Sequence, residues 1–277
     1  MAVLTTTVLT LLAIFSLLCL FKPTRAWLIT FYYSMVILKR GGDAQDDEGF
    51  RAVFDEVGRE WGKQIIRLYD ITLEVTGTMP ERPCLILCNH QSAFDVPCLL
   101  SASTKGISFM PKGEIRKVPG VGRVLERSGS IYLDRSDGEA AKRAMDAAAS
   151  ALKERSFLIF PEGTRSRDGI AGFKKGAFHV ATAARVPLLP VALAGSDDPS
   201  SLDPSRKLVR LAFGKPIEVK GTESIEGLLT KARTEIIQLN LALGGKGAKP
   251  GTEQQHVAPK GNPTKKNQKS LSAWLQP

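Results

Sequence analysis

The chain has three histidines, few enough to sort by position. His256 sits among Gly, Lys, Pro and Gln near the C-terminus, and His179 falls inside a helical pattern. Only His90 stands in a loop just after an apolar run (84–88), with a carboxylate, Asp95, five positions on. A neutral imidazole can accept a proton near pH 7, and a neighbouring aspartate can fix its tautomer and stabilise the imidazolium. The same spacing also suits a plain turn in which Asp95 caps the next helix. On a regular helix, side chains five positions apart diverge by about 140°. A catalytic pair therefore needs a bend, with His90 ahead of the helix and Asp95 at its start.

A second apolar run ends the same way, in "FLIFPEGTRS" (157–166). Pro161 and Gly163 shape a turn, and Gly163 leaves backbone N–H groups accessible. Arg165 offers a planar fork matched to phosphate oxygens, with Thr164 and Ser166 as hydroxyl donors. Glu162 either orients Arg165 or accepts a substrate hydroxyl; the plain reading is a turn with an internal Glu–Arg pair. Lys112, Arg135 and the pair Lys174-Lys175 place further cations at strand ends or helix starts.

These loops need a scaffold that gathers them. Helical spacing of Phe50, Val53, Phe54, Val57, Trp61, Ile65 and Leu68 predicts a helix within 45–69. Beyond it the chain alternates. Strands are expected at 71–76, 84–88, 107–111, 130–134, 156–160, 187–193 and 208–213, and helices at 95–104, 114–126, 137–154, 174–185 and 222–242. Such alternation predicts an α/β domain with a central, largely parallel sheet flanked by helices, whose loops collect at one sheet edge.

Charge location narrows the partners. The 277 residues carry a net +10. Residues 1–41 contribute +4 and residues 244–277 contribute +5, leaving the body from 42 to 243 nearly neutral. A nucleic-acid-binding domain would concentrate that excess on its folded part; excess at the ends suits an anionic membrane surface. Four cysteines make no disulfide framework in a chain this long. On a strand, Cys84 and Cys88 would lie about 13 Å apart, too far to share a zinc ion with His90. They read as buried small hydrophobes in a reducing compartment.

Residues 2–21 carry no charge and could form a helix about 30 Å long, enough to cross the hydrocarbon core. The run 26–38 spans only about 20 Å. Without a basic leading region this does not read as a signal peptide. It reads as a membrane anchor (1–41), either a hairpin dipping into one leaflet or a single crossing, with Lys22, Arg25, Lys39 and Arg40 facing the cytoplasmic side of an inner membrane. The candidate site residues all fall in the domain 42–243, and 244–277 reads as a disordered basic tail.

Four segments in order carry a family resemblance: Asn89-His90 through Asp95, "GSIYLDR" (129–135), "FPEGTRS" (160–166) and "VPLLPV" (186–191), with "PKGEIRKVPGVG" (111–122) between the first two. Over roughly 70–220 the chain resembles the 1-acylglycerol-3-phosphate O-acyltransferases of the glycerolipid acyltransferase superfamily. That resemblance implies an acyltransferase of phospholipid biosynthesis that acylates the free sn-2 hydroxyl of lysophosphatidate from a thioester, acyl-CoA or acyl carrier protein, to form phosphatidate. It implies His90 as general base and Asp95 as its partner, with Arg135, Glu162, Gly163, Thr164, Arg165 and Lys112 around the acceptor, and neither a metal nor a cofactor. Asp134 stands where an apolar or neutral residue is usual, so Arg135 is expected to be partly neutralised. Another lysolipid acceptor would use the same pair. A lipid hydrolase would instead use Ser92 as nucleophile, but Ser92 lies only two residues past His90 and outside any G-x-S-x-G elbow. A non-catalytic lipid-binding protein on the same scaffold would show no turnover.

Overall fold

The computed structural model describes residues 21–252, except 43, 45, 133–137, 200 and 202; side chains at 138–142 and 204 are likewise outside it. Two helices lead: α1 (Lys22–Gly42) and α2 (Asp47–Leu68). The Asp46 side chain caps α2 by accepting the Gly49 N–H at 2.7 Å, satisfying a backbone donor at the helix start. There follow β1 (Thr72–Thr76), β2 (Leu85–Cys88), α3 (Asp95–Ala102), β3 (Ile107–Phe109), a 3₁₀ turn (Gly113–Lys117), α4 (Val121–Arg127), α5 (Gly138–Ala151), β4 (Ser156–Ile159), α6 (Gly176–Ala184), β5 (Leu188–Ala194), a second 3₁₀ turn (Pro204–Lys207), β6 (Leu208–Phe213) and α7 (Ile225–Ala242).

The strands form one sheet in the order β1-β6-β5-β2-β4-β3. β3, β4, β2 and β5 run parallel, β1 runs parallel to β6, and the β5–β6 pair is antiparallel. The largely parallel sheet is as expected, with one reversed two-stranded edge. Period-two side-chain alternation divides the core between its faces. Ile86, Cys88, Leu158, Leu189, Val191 and Leu193 pack toward α1–α4, whereas Leu85, Leu87, Phe157, Leu188 and Ala192 pack toward α5–α7. Gly62 lets α2 lie directly on α3, because a Cβ there would meet the Pro97 carbonyl oxygen at 2.6 Å.

Three expectations are corrected. The first half of the expected hairpin, 2–21, lies almost wholly outside the described residues, but residues 26–38 are not separate from the folded domain. They lie within α1, whose Ser34, Ile37 and Gly41 are buried and whose Thr30 hydroxyl accepts the Trp61 indole N–H at 3.0 Å. Among the described residues no helix is long and apolar enough to cross a membrane; residues 1–20 lie outside them. The segment 130–134 is not a strand over its described part. Ile131 N–H reaches the Phe109 carbonyl at 3.0 Å, but Phe109 N–H is taken at 3.1 Å by the Ser130 hydroxyl, so a side-chain oxygen replaces the carbonyl a ladder needs. Residues 244–252 do not begin a disordered tail. Gly247 N–H bonds the Asn240 side chain at 2.9 Å, and Ile170 N–H donates to Gly247 O while Lys249 N–H donates to Ile170 O. Residues 253–277 lie outside the described set.

Candidate active site

β2 and β4 are parallel neighbours, with Leu87 opposite Ile159, so the chain leaves both strands at one sheet edge, where open α/β sheets hold ligands. From β2, Asn89 ties the loop to β5: its amide donates to the Leu193 carbonyl at 3.0 Å and accepts Leu193 N–H at 2.8 Å. The next residue is His90. From β4 comes Phe160, whose ring stacks on the His90 imidazole at 3.9 Å and 14°.

The bend required for a His–Asp pair is present. Asp95 is the first residue of α3 and is fully buried. Its Oδ2 lies 2.6 Å from His90 Nδ1 and accepts the backbone N–H groups of Gln91 (2.7 Å) and Ser92 (3.0 Å). It therefore turns back onto the loop that precedes it, and does not cap the helix that follows it. An ionised carboxylate can only accept, so in the neutral imidazole the proton sits on Nδ1 and the lone pair on Nε2. The imidazole is 16 % exposed, and His90 lines a cavity of about 640 Å³.

That cavity has two characters. Lys112, Gly163, Thr164, Arg165 and Lys174 line it with His90, and among the described residues no acidic side chain does. Its remaining wall is mostly apolar: Tyr33 and Ile37 of α1, Phe54 and Trp61 of α2, Val96 and Leu100 of α3, and Phe109, Val124 and Leu125. A cationic region next to an apolar chamber matches a ligand with an anionic head and a hydrocarbon tail. Gly163 sits at φ +73°, the left-handed region open to glycine, and its N–H closes the turn onto Phe160 O at 3.0 Å.

Of the residues singled out from sequence, His90, Lys112, Gly163, Thr164 and Arg165 face one cavity, with Asp95 directly behind His90. Arg135 lies outside the described residues. Glu162 is not a wall residue: it is 3 % exposed, and its two oxygens accept backbone N–H groups, Oε1 from His90 at 2.7 Å and Oε2 from Ala171 at 2.8 Å. Neither a Glu162–Arg165 pair nor a free acceptor for a substrate hydroxyl is formed. Burial pushes its carboxyl up to about 7, against the pull of the two N–H groups. Ser166 is likewise no hydroxyl donor to the cavity, since its Oγ donates to Gly169 O at 2.6 Å. Ser92 is buried, donates to Ser196 O and accepts Phe94 N–H, so it is not presented as a nucleophile. Lys175 instead pairs with Glu226. Cys84, Cys88 and Cys98 are free and buried, and burial pushes the Cys98 thiol up to about 12. Among the described residues no group of three or more His, Cys, Asp and Glu could hold a metal ion. The wall given by α1 had only one sequence signal, an apolar run, which reads equally well as lipid-facing.

Residues 70–194, which enclose all four motifs, match the family model described as Acyltransferase. Over this segment the chain is similar to the acyltransferase family. The chain is 38 % identical over 121 residues to a chloroplastic 1-acyl-sn-glycerol-3-phosphate acyltransferase of Brassica napus, covering 42 % of this chain and 34 % of that protein. Over 132 residues it is 30 % identical to the Saccharomyces cerevisiae 1-acyl-sn-glycerol-3-phosphate acyltransferase, covering 46 % of this chain and 44 % of that one. The chain thus spans less than half the length of these curated relatives. The crystal structure of the 1-acyl-sn-glycerophosphate (LPA) acyltransferase PlsC from Thermotoga maritima is similar at a TM-score of 0.70 and 28 % identity, covering 84 % of this chain and 97 % of that one. α1 and α2 precede residues 70–194, yet both contribute wall residues to the cavity.

Proposed function

We propose that this protein transfers an acyl chain from a thioester to the free sn-2 hydroxyl of lysophosphatidate, forming phosphatidate. One observation carries the reading: a histidine whose Nδ1 is held by a buried carboxylate lines a cavity that it shares with three cationic side chains and a mostly apolar wall. His90 Nε2 takes the proton of the acceptor hydroxyl as its oxygen attacks the thioester carbonyl carbon. The C–S bond then breaks, and the imidazolium returns that proton to the leaving thiolate. Asp95 stabilises the imidazolium in between. Lys112, Arg165 and Lys174 hold the acceptor phosphate, and the donor is acyl-CoA or an acylated carrier protein. Purified protein offered a panel of lysolipids with each thioester, with products read by mass spectrometry, tests this. Acylation of lysophosphatidate above every other lysolipid is the expected outcome; preference for an acceptor without a phosphate monoester would reassign the acceptor.

Arg165→Ala is expected to raise the acceptor KM. Losing one charge-assisted bond to phosphate costs about 1.5–3 kcal/mol, roughly 10- to 150-fold. Separate KM values for the two substrates decide the assignment, because a rise confined to the thioester would place Arg165 at the donor.

The same reading puts the cavity against a lipid surface. Trp27, Leu28, Phe31, Tyr32 and Met35 are exposed along one side of α1, while Thr30, Tyr33, Ser34 and Ile37 line the cavity from its other side. An exposed aromatic stripe with Lys39 and Arg40 in the last turn suits an interface lined with anionic lipid, on the cytoplasmic side of the membrane. Replacing Trp27, Phe31 and Tyr32 together with Ser should weaken co-sedimentation with anionic vesicles and lower turnover on vesicle substrate more than on detergent-dispersed substrate. Unchanged vesicle binding would remove α1 from the lipid contact.

A further inference from the structure

Glu162 holds the chain at two places that have no reason to be joined unless one of them must be kept still. Oε1 accepts the N–H of His90, 72 positions earlier, and Oε2 accepts the N–H of Ala171. The same loop also takes the other side of the His90 peptide, because Ser166 N–H donates to His90 O at 2.8 Å. His90 is thus gripped through both of its backbone polar groups by the turn that carries Gly163, Thr164 and Arg165. The ionised form of Glu162 is the one suited to this place, since it has two acceptor oxygens and no donor and faces two inward N–H groups. An amide, with one acceptor oxygen, would leave one of them unpaired in a buried setting.

The far end of the clamp is itself braced. Arg233 of α7, 6 % exposed, donates from Nε to Ala171 O at 3.2 Å and from Nη2 to Ile170 O (3.2 Å) and the Thr252 hydroxyl (2.8 Å). Ile170 is also paired with residues 247–249 through both of its backbone polar groups. Ala171 is therefore held by contacts that do not involve His90.

We propose that Glu162 is a positioning residue, a two-ended clamp that holds His90 against the braced segment Ile170–Ala171 and does not touch the acceptor. The kinetic arm of its test rests on the acyl-transfer reading; the spectroscopic arm does not. Glu162→Gln keeps the shape but turns an NH₂ toward one of the two N–H groups, releasing one end. Loosening His90 should lower kcat about 10- to 100-fold, the scale of an ångström-sized misplacement. The acceptor KM should stay put, in contrast to Arg165→Ala.

With histidine-selective ¹⁵N labelling of the full chain, three imidazoles are observed, and His90→Ala assigns the one of interest. The proton between Nδ1 and Asp95 should lose its downfield position in Glu162→Gln. A raised acceptor KM with kcat kept would return Glu162 to the acceptor site. An unaltered His90 signal, with or without a fall in kcat, would overturn the clamp. If the variant does not fold, Arg233→Lys tests the same connection from its far end: the charge stays and the fork is lost. It should move kcat and the His90 signal in the same direction, by less, and no change in either would sink the proposal. A wild-type protein that acylates nothing would end the acyl-transfer reading, while the His90 resonance still reports on the clamp.

Discussion

His90→Ala is expected to abolish nearly all acyl transfer while leaving the protein folded. A general base contributes about 10²- to 10⁴-fold, and no other histidine among the described residues lines the cavity to replace it. The fold should survive because His90 is held mainly through its backbone, by Glu162 and Ser166, and alanine keeps both of those bonds. What is lost is the stacking on Phe160 and one of the three donors on Asp95 Oδ2; the Gln91 and Ser92 N–H groups remain on that oxygen. Initial rates and a thermal unfolding curve on the same preparation separate the two effects. Retention of more than about a tenth of the wild-type rate, set against that range, would remove His90 from the chemistry.

Much of this arrangement was open to reading in the amino-acid order, and the exceptions have physical causes. Apolar runs ending in polar turns located β2 and β4 and placed His90 and Arg165 on a shared edge, because a buried parallel strand leaves a continuous apolar mark. The strand order left no such mark, since pairing between distant strands is made by backbone groups that every residue carries. Glu162 was misplaced for a related reason. A carboxylate beside an arginine reads as its partner, whereas its real partners are two backbone N–H groups, one of them 72 positions away. Residues 26–38 could not be assigned because an apolar face looks the same whether it meets lipid or protein, and α1 has faces of both kinds: Trp27 and Tyr32 exposed, Ile37 buried. The segment 244–252 looks polar and glycine-rich enough for disorder, yet it is fixed by the Asn240 amide and by pairing with Ile170.

Asp95→Asn should be nearly as damaging as loss of the imidazole, and the surroundings of the carboxylate explain why neither orientation of the amide rescues it. Oδ2 receives three donors, from His90 Nδ1, Gln91 N and Ser92 N, while Oδ1 is buried without a hydrogen-bond partner. If the asparagine oxygen takes the Oδ2 place, all three donors stay satisfied. The negative charge opposite the imidazolium is then gone, and an NH₂ group is buried where nothing accepts from it, at a cost of about 1–3 kcal/mol. If the amide turns over, its NH₂ faces three donors. His90 must then give up the proton on Nδ1 and carry it on Nε2, the nitrogen that has to receive the acceptor's proton. In a serine-protease triad the corresponding Asp-to-Asn change costs about 10⁴ in kcat through the same wrong tautomer. A fall of about 10²- to 10⁴-fold is therefore expected here, in kcat with acceptor KM unchanged, because Asp95 is fully buried and does not line the cavity. The ¹⁵N shifts of the His90 ring distinguish the two orientations, since only the second moves the proton to Nε2. Activity within tenfold of wild type, set against that range, would show that the carboxylate serves the loop alone and that the imidazole needs no charged partner.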